Sequence, residues 1–234
     1  SCTDLNAITR HVFDGGSNSI GMQLCEGRGN LNLVVDDCTI RGFMYGIQLG
    51  HGTTRELLAF ATVSACTITG CGDGLHNKSD GNRISGNCIR GNAKHGITLR
   101  FGIDALVSDN DIQDNTVGIR IHGSHHRLER NQIRGCTGPG VLVQGGIGFD
   151  RMGYTPSRGI RLEQNLLDGC RLICCPGSEV LARDNIWSQP PIWLNRVGDD
   201  THGLALSEDT LLPMPHLMRG NRIAHPGDDA RGAA

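Results

Sequence analysis

Gly96-Ile97-Thr98-Leu99, Gly118-Ile119-Arg120-Ile121 and Gly140-Val141-Leu142-Val143 are built alike: a glycine, an apolar residue, a variable residue and a second apolar residue. Gly74-Leu75 opens a fourth phrase, with Asn77 in its last place, and the glycines at 74, 96, 118 and 140 are each 22 residues apart. A fixed period of this length marks a solenoid. Strict alternation inside each phrase is the period of a β-strand with one buried face, and Ile47-Gln48-Leu49 belongs to the same set. A second phrase follows each first one, apolar-x-x-Asn-x-apolar: Ile84 to Ile89, Leu128 to Ile133, Leu162 to Leu167, and Leu106 to Ile112 with one extra residue.

The asparagines of that second phrase, Asn87, Asn110, Asn131, Asn165, Asn185 and Asn221, recur once per coil at a turn. Stacked in register they form an amide ladder, a structural role. Short strands parted by Gly and Asn turns, with no helical periodicity between them, exclude leucine-rich and helical solenoids. What remains is an all-β parallel β-helix of about eight coils, one domain over residues 1–226. Its open end must be covered, and Leu5, Ile8 and Val12 after Thr3 have the spacing of a short amphipathic capping helix over about residues 1–16. The polar stretch 227–234 reads as a disordered tail.

The chain has 234 residues, 34 of them glycine, with 38% hydrophobic but only 4% aromatic residues. That composition suits one long thin core of aliphatic side chains. A formal charge of −2 gives no global attraction for nucleic acid or an acidic membrane, so electrostatic recognition must be local. No apolar run is long enough to span a bilayer, and Ser1-Cys2-Thr3-Asp4 lacks a signal-peptide pattern. Of the ten cysteines, Cys38, Cys66, Cys71, Cys136 and Cys170 fall at repeat positions, as small buried thiols would. Cys174-Cys175 beside Cys170 is the one cluster suggestive of metal or redox chemistry, but its spacing matches no standard zinc pattern.

Three interruptions break the period: His51 to Glu56, Gly145 to Arg158 and Arg196 to His216. Each leaves the stack just after a Gly-led strand, so all three are expected along one edge, where they would wall a groove.

If the apolar residues of the Gly-led strands point inward, the residues between and after them point outward. One outer column then reads Gln48, His76, Thr98, Arg120, Leu142, and the next reads Gly50, Lys78, Arg100, His122, Gln144. His76, Lys78, Arg100, Arg120 and His122 form a basic patch. One reading of it is a solvated sheet face. The other starts from the repulsion between like charges stacked at strand spacing, which an anionic ligand would relieve. Regularly placed Arg and Lys suit the carboxylates or sulfates of an acidic polysaccharide lying along the stack, with Gln48 and Gln144 at its margins. His76 or His122, kept neutral by the neighbouring cations, has the character of a general base. Tyr154, in the second interruption, is placed to reach over the groove as the opposing acid.

The run His76-Asn77-Lys78-Ser79-Asp80-Gly81, followed by Ile84 and Asn87, resembles the region after the Asp-Pro-His-Asp signature of mannuronan C5-epimerases, members of the pectate-lyase-like group of right-handed, single-stranded β-helices. The likeness extends over about residues 73–140. His76 matches the family's catalytic histidine, Lys78 a basic position, and Lys94-His95-Gly96-Ile97 the continuation, with Arg100 near a carboxylate-neutralising arginine. Gly74-Leu75 stands where Asp-Pro is expected and Asn77 replaces the second Asp, so the signature is degenerate. The resemblance implies removal of the C5 proton of a uronate by His76, with Lys78, Arg100 or Arg120 stabilising charge on the carboxylate, and then either epimerisation or lysis. It also implies a periplasmic or extracellular setting, against which a core of reduced cysteines argues.

Two other functions stay open. A glycoside hydrolase needs paired carboxylates, and the acids, Glu129, Glu163 and the run Asp109, Asp111, Asp114, belong to the second phrase, away from the patch. That acidic run is a possible calcium site; no other cofactor is implied. A non-catalytic polysaccharide-binding or accessory module is the third possibility.

Overall fold

In a computed structural model the chain winds through three parallel sheets of nine, nine and eight strands. The structure describes residues 7–24, 33–50, 60–144, 146–147, 154–155, 157–175, 178–194 and 218–223. Each coil contributes one strand to each sheet. The fourth coil, for example, consists of Arg83–Ser85, Cys88–Arg90 and His95–Leu99, which hydrogen-bond to the coil before and the coil after in unbroken register. Eight coils carry all three strands, and Met218–Arg219 and Arg222–Ile223 begin a ninth.

Alternation within each short strand sends one column of side chains inward. Ile84, Val107 and Leu128 from the first sheet, Ile89, Ile112 and Ile133 from the second, and Ile97, Ile119 and Val141 from the third are all essentially inaccessible. The core is therefore a stack of aliphatic layers, as the scarcity of aromatic residues requires. Val107, not Leu106, pairs with Ile84 and Leu128. The extra residue expected in that coil is absent, because Val107, Asn110 and Ile112 keep the spacing of their neighbours.

The corner between the first two sheets is a two-residue step. A residue with positive φ (Asp109 at 57°, Arg130 at 53°, Gln164 at 57°, Asp184 at 54°) turns the chain, and the buried asparagine after it is locked to the next coil. Asn87 Nδ2 donates to Asn110 Oδ1, Asn110 to Asn131 and Asn131 to Asn165, each at 2.9 Å, and the ladder continues through Asn185 to Asn221. Each left-handed non-glycine residue costs roughly 1–2 kcal/mol, a cost the ladder bonds offset. Cys38 and Cys66 extend the column in the early coils, where the Cys66 thiol donates to Val35 O much as Asn87 Nδ2 donates to Val63 O. The second corner repeats the device with Cys71, Asn92, Asn115, Cys136 and Cys170. The eight described cysteines are free, in agreement with a core of thiols.

The expected N-terminal helix does not form over the described residues. Ala7–Thr9 and Val12–Asp14 are strands of the first coil, paired with Val34–Asp36 and Thr39–Arg41. Ile8 packs on the core while Val12 is 62% exposed. Ile8 and Phe13, not Ile8 and Val12, are the inward residues of two strands on either side of a bend, so the spacing that suggested a helix does not mark a buried face. Residues 1–6 and the stretch 227–234 lie outside the described residues, and no helix among the described residues is long and apolar enough to cross a membrane.

The third corner carries a buried histidine. His126 Nδ1 accepts a hydrogen bond from Ala105 N at 3.1 Å, the service that Asn82 Oδ1 gives Ala61 N at 2.8 Å. Burial pushes His126 down to about 3. Its folded pKa lies below the unfolded value, so its contribution is present above about pH 6.5 and is lost as pH falls toward 3, at up to about 1.4 kcal/mol per pH unit. His126→Asn keeps an acceptor for Ala105 N without a titrating ring. The variant is expected to lose less melting temperature than the parent between pH 7 and pH 4.5; an equal loss would assign the acid sensitivity elsewhere.

Candidate active site on the third sheet

The outer face of the third sheet is shaped by the recurrent glycine. A Cβ on Gly74 would lie 2.7 Å from Gly96 O and 2.9 Å from both Asn92 Nδ2 and Ile89 Cγ2, so this position faces the interior and admits only hydrogen. Gly74 and Leu75 both point inward, and the strand bends so that Asp73 and His76, three residues apart, share the outer face. One coil on, His95 stands in register with Asp73 and Thr98 with His76.

These residues form one hydrogen-bonded group. His76 Nδ1 lies 3.1 Å from Asp73 Oδ2, His95 Nδ1 lies 2.8 Å from Asp73 Oδ1, and Thr98 Oγ1 donates to Asp73 Oδ2 at 3.2 Å. A carboxylate only accepts, so each imidazole donates through Nδ1–H, and Nε2 of a neutral ring carries the lone pair. His76 Nε2 is buried and has no hydrogen-bond partner among the described residues. The edge of Tyr45 packs on the His76 ring, with centroids 5.0 Å apart at 87°.

Burial opposes the ionisation of Asp73, but the hydrogen bonds from His76 and His95 and their charges outweigh it and hold the carboxyl well below the usual range. Burial lowers the pKa of His76; Asp73 pulls it up, and Lys78 and Arg100 push it down again. His122, two coils further on, is pushed down to about 3 by burial and then by Arg120 and Arg100. Both rings are therefore neutral bases near pH 7.

The register sets out both outer columns as the repeat predicts. Gln48, His76, Thr98, Arg120 and Leu142 pair in sequence along the sheet, and Lys78, Arg100, His122 and Gln144 follow their strands on the same hydrogen-bonding ladder. Lys78 and His122 are half-buried and Arg100 is exposed, its guanidinium 4.6 Å from the centroid of the Phe101 ring. Arg120 Nε donates to Gln144 Oε1 at 3.2 Å. Gln48 is buried and its amide donates to Gly50 O at 2.9 Å, which commits it to its own turn. Beyond Arg120 the face becomes apolar, with Leu142, Ile173 and Cys175 in one cluster. Cys174 is in the main core, so the Cys174-Cys175 pair splits between inside and outside.

Tyr154 belongs to a small hairpin in which Gly146–Ile147 runs antiparallel to Tyr154–Thr155, with Ile147 opposite Tyr154. Ser157 Oγ returns to Gln144 O at 3.3 Å, closing that excursion at the edge of the basic columns. The interruptions His51 to Glu56 and Arg196 to His216 lie outside the described residues, but both follow third-sheet strands, Tyr45–Leu49 and Ile192–Trp193. Asn77, set against a signature carboxylate, points inward: it accepts from Asn82 Nδ2 at 2.7 Å and donates to Ser79 O at 3.1 Å within its own turn. Glu129 and Glu163 pair in register on the first sheet, away from these columns. In the acidic run, Asp109 is held by Arg130 and Asp111 by Arg134.

Sequence reasoning left out Asp73 and His95 as site residues. Their column, Tyr45, Asp73, His95, Val117, lies before the glycines. Simple alternation gives the residue before an inward glycine no reason to join His76; the bend at the glycine supplies it.

A solenoid of parallel coils with polar side chains gathered on one outer sheet is the class this fold defines. The sequence profile described as a right-handed β-helix region matches residues 22–152, and the chain belongs to that family. Among solved structures, the alginate lyase of Paenibacillus sp. str. FPU-7 superposes with a TM-score of 0.55 at 12% identity, covering 70% of this chain and 63% of the lyase. The DFA-IIIase of Arthrobacter chlorophenolicus A6 gives 0.50 at 9% identity, covering 76% and 45%. At such identities the likeness is one of fold, and the chain spans less than two thirds of either neighbour. No curated protein sequence matches.

Proposed function

We propose that the chain acts on an acidic polysaccharide by removing the C5 proton of a uronate, with His76 Nε2 as the base. The observation that carries this reading is the Asp73–His76 pair: a carboxylate fixes the ring through Nδ1 and leaves a buried, unpartnered Nε2. An uncharged imidazole oriented through Nδ1 by a carboxylate has the form of a general base, with the Nε2 lone pair as the proton acceptor. Arg100 on the same face is positioned for the sugar carboxylate, whose negative charge grows as the proton leaves. Solved relatives of this fold include a protein named as an alginate lyase, which agrees with a glycan substrate.

The test is incubation with uronate polymers in heavy water, following ultraviolet absorbance of unsaturated ends and exchange of the C5 proton by NMR. Exchange or unsaturation on any polymer is the expected result. Binding with neither supports a second reading, a polysaccharide-binding module, which the burial of Asp73, His76 and Thr98 as a closed hydrogen-bonded group favours.

The two readings separate at Arg100 as well. Arg100→Ala is expected to raise KM about tenfold, the effect of roughly 1.4 kcal/mol of lost carboxylate contact, with kcat changed less. A fall in kcat at constant KM would move Arg100 from binding into transition-state stabilisation.

A further inference from the structure

Cys136 and Cys170 occupy the same place in adjacent coils. Gln132–Arg134 pairs in register with Leu166–Asp168, and Gly135 and Gly169, at φ 63° and 69°, carry the chain round the same turn in each coil. In the two preceding coils this column holds Asn92 and Asn115, whose amides meet at 2.9 Å, so side chains at this corner reach from one coil to the next. Cys170 does likewise: its Sγ lies 3.5 Å from Ile133 O, and a Cβ on Gly140 would come within 2.5 Å of it. There it is in hydrogen-bond contact with the thiol of Cys136. Adjacent strands are about 4.8 Å apart, inside the Cα separation of roughly 4.4–6.8 Å that a disulfide spans.

The two thiols are also within reach of a small reagent. Both cysteines line an open cleft of about 220 Å³, together with Pro139, Arg171 and Gln189. Cys136 keeps 8% of its surface accessible and Cys170 2%, so a reagent entering the cleft meets Cys136 first. The Cys170 thiol lowers the pKa of Cys136 against the opposing effect of burial, while the same contact, helped by burial, raises that of Cys170. Reactivity follows thiolate character and access, and both favour Cys136. We propose that Cys136 and Cys170 are a modification site for a hydroperoxide, which joins them in a reversible disulfide between the two coils that flank the Gly146–Ile147 and Tyr154–Thr155 hairpin. The pair differs from the one that closeness in sequence suggests, since Cys174 and Cys175 are divided between the main core and the outer cluster.

The chemistry runs in two steps. Cys136, as the thiolate, attacks one oxygen of the peroxide; the O–O bond breaks, the other oxygen leaves as water with the proton the thiol gave up, and Cys136 becomes a sulfenic acid. Cys170 Sγ then attacks Cys136 Sγ, the S–O bond breaks, and hydroxide departs as water with the Cys170 proton. Two thiols lose two electrons and two protons, and hydrogen peroxide is reduced to two waters. A dithiol reductant reverses the bond by thiol–disulfide exchange.

Cys38 and Cys66 provide an internal comparison. They too are one register apart at a corner, next to the Thr39 and Thr67 pair, but both are buried, neither lines the cleft, and burial pushes the Cys66 thiol up to about 12. The test exposes the folded, reduced full chain to hydrogen peroxide, blocks the remaining thiols with N-ethylmaleimide and maps the peptides. A crosslink between Cys136 and Cys170, with loss of the mass of two hydrogens, should form at least about tenfold faster than one between Cys38 and Cys66. It should raise Tm by roughly 5–10 °C, reversibly with dithiothreitol, because it closes a loop of more than 30 residues in the unfolded chain. Cys136→Ser should abolish the rise, and Cys170→Ser should abolish it while leaving Cys136 as a sulfenic acid that dimedone captures. The proposal is overturned if Cys136 and Cys170 both stay reduced in the folded chain, if Cys38 and Cys66 crosslink as fast, or if Cys136 is oxidised in the parent without joining Cys170.

Discussion

Replacing His76 by glutamine is expected to lower turnover of a uronate polymer by roughly 10³-fold, within the range a general base contributes, while leaving polymer binding within about threefold of the parent. Glutamine keeps a polar side chain of similar length and removes the basic nitrogen, Nε2, that the proposed proton transfer requires. Asp73→Asn is expected to act through His76. An amide in place of the carboxylate removes the charge that favours Nδ1–H on both rings, so the population with a basic Nε2 falls and the pH profile of kcat shifts along with its height. If the site is a binding platform, His76→Gln changes nothing measurable and Arg100→Ala weakens binding. Isothermal titration beside the turnover assay separates the cases, and a His76→Gln protein with undiminished activity would end the catalytic assignment.

The glycine phrases and the asparagine column carried the fold because both report on the interior. An inward glycine and a buried amide are each demanded once per coil by backbone contact, so their period survives whatever the outside of the coil does. Outer positions have no such constraint. Alternation alone places His76, Lys78, Arg100, Arg120 and His122 on one face, and the register agrees. It does not bring in Asp73 or His95, whose membership depends on the departure from alternation at the recurrent glycine, where a Cβ on Gly74 would meet Gly96 O of the next coil. The capping helix shows the same limit from the other side. Ile8, read with Leu5 and Val12, has helical spacing, but the residues that turn inward are Ile8 and Phe13 of two short strands, and pairing with Val34–Asp36 and Thr39–Arg41 decides it.

The stability of the stack should depend most on the middle of the ladder. Asn110 Nδ2 donates to Ile84 O and to Asn131 Oδ1, and its Oδ1 accepts from the backbone N and from Nδ2 of Asn87. Truncation to alanine removes these bonds and leaves Asn87 N–H buried without the acceptor it had, while Asp109 keeps its positive φ with nothing to hold the turn. At about 1 kcal/mol for each bond, more where a partner is orphaned, Asn110→Ala is expected to cost about 3–5 kcal/mol. For a chain of this length that is a fall in Tm of roughly 8–15 °C. Asn221→Ala, at the end of the column, should cost less than half as much, because only Asn185 stacks upon it. Arg90→Ala, on the exposed side of its strand, should stay within about 0.5 kcal/mol. Asn110→Cys is the sharper comparison, since Cys66 already occupies the same column and donates its thiol to the preceding coil. It should fall between alanine and the parent. Equal losses at Asn110 and Asn221 would mean that the asparagines act as independent turn residues; a steep gradient from centre to end would mean that the coils hold one another through the ladder, as nearest-neighbour coupling in a solenoid requires.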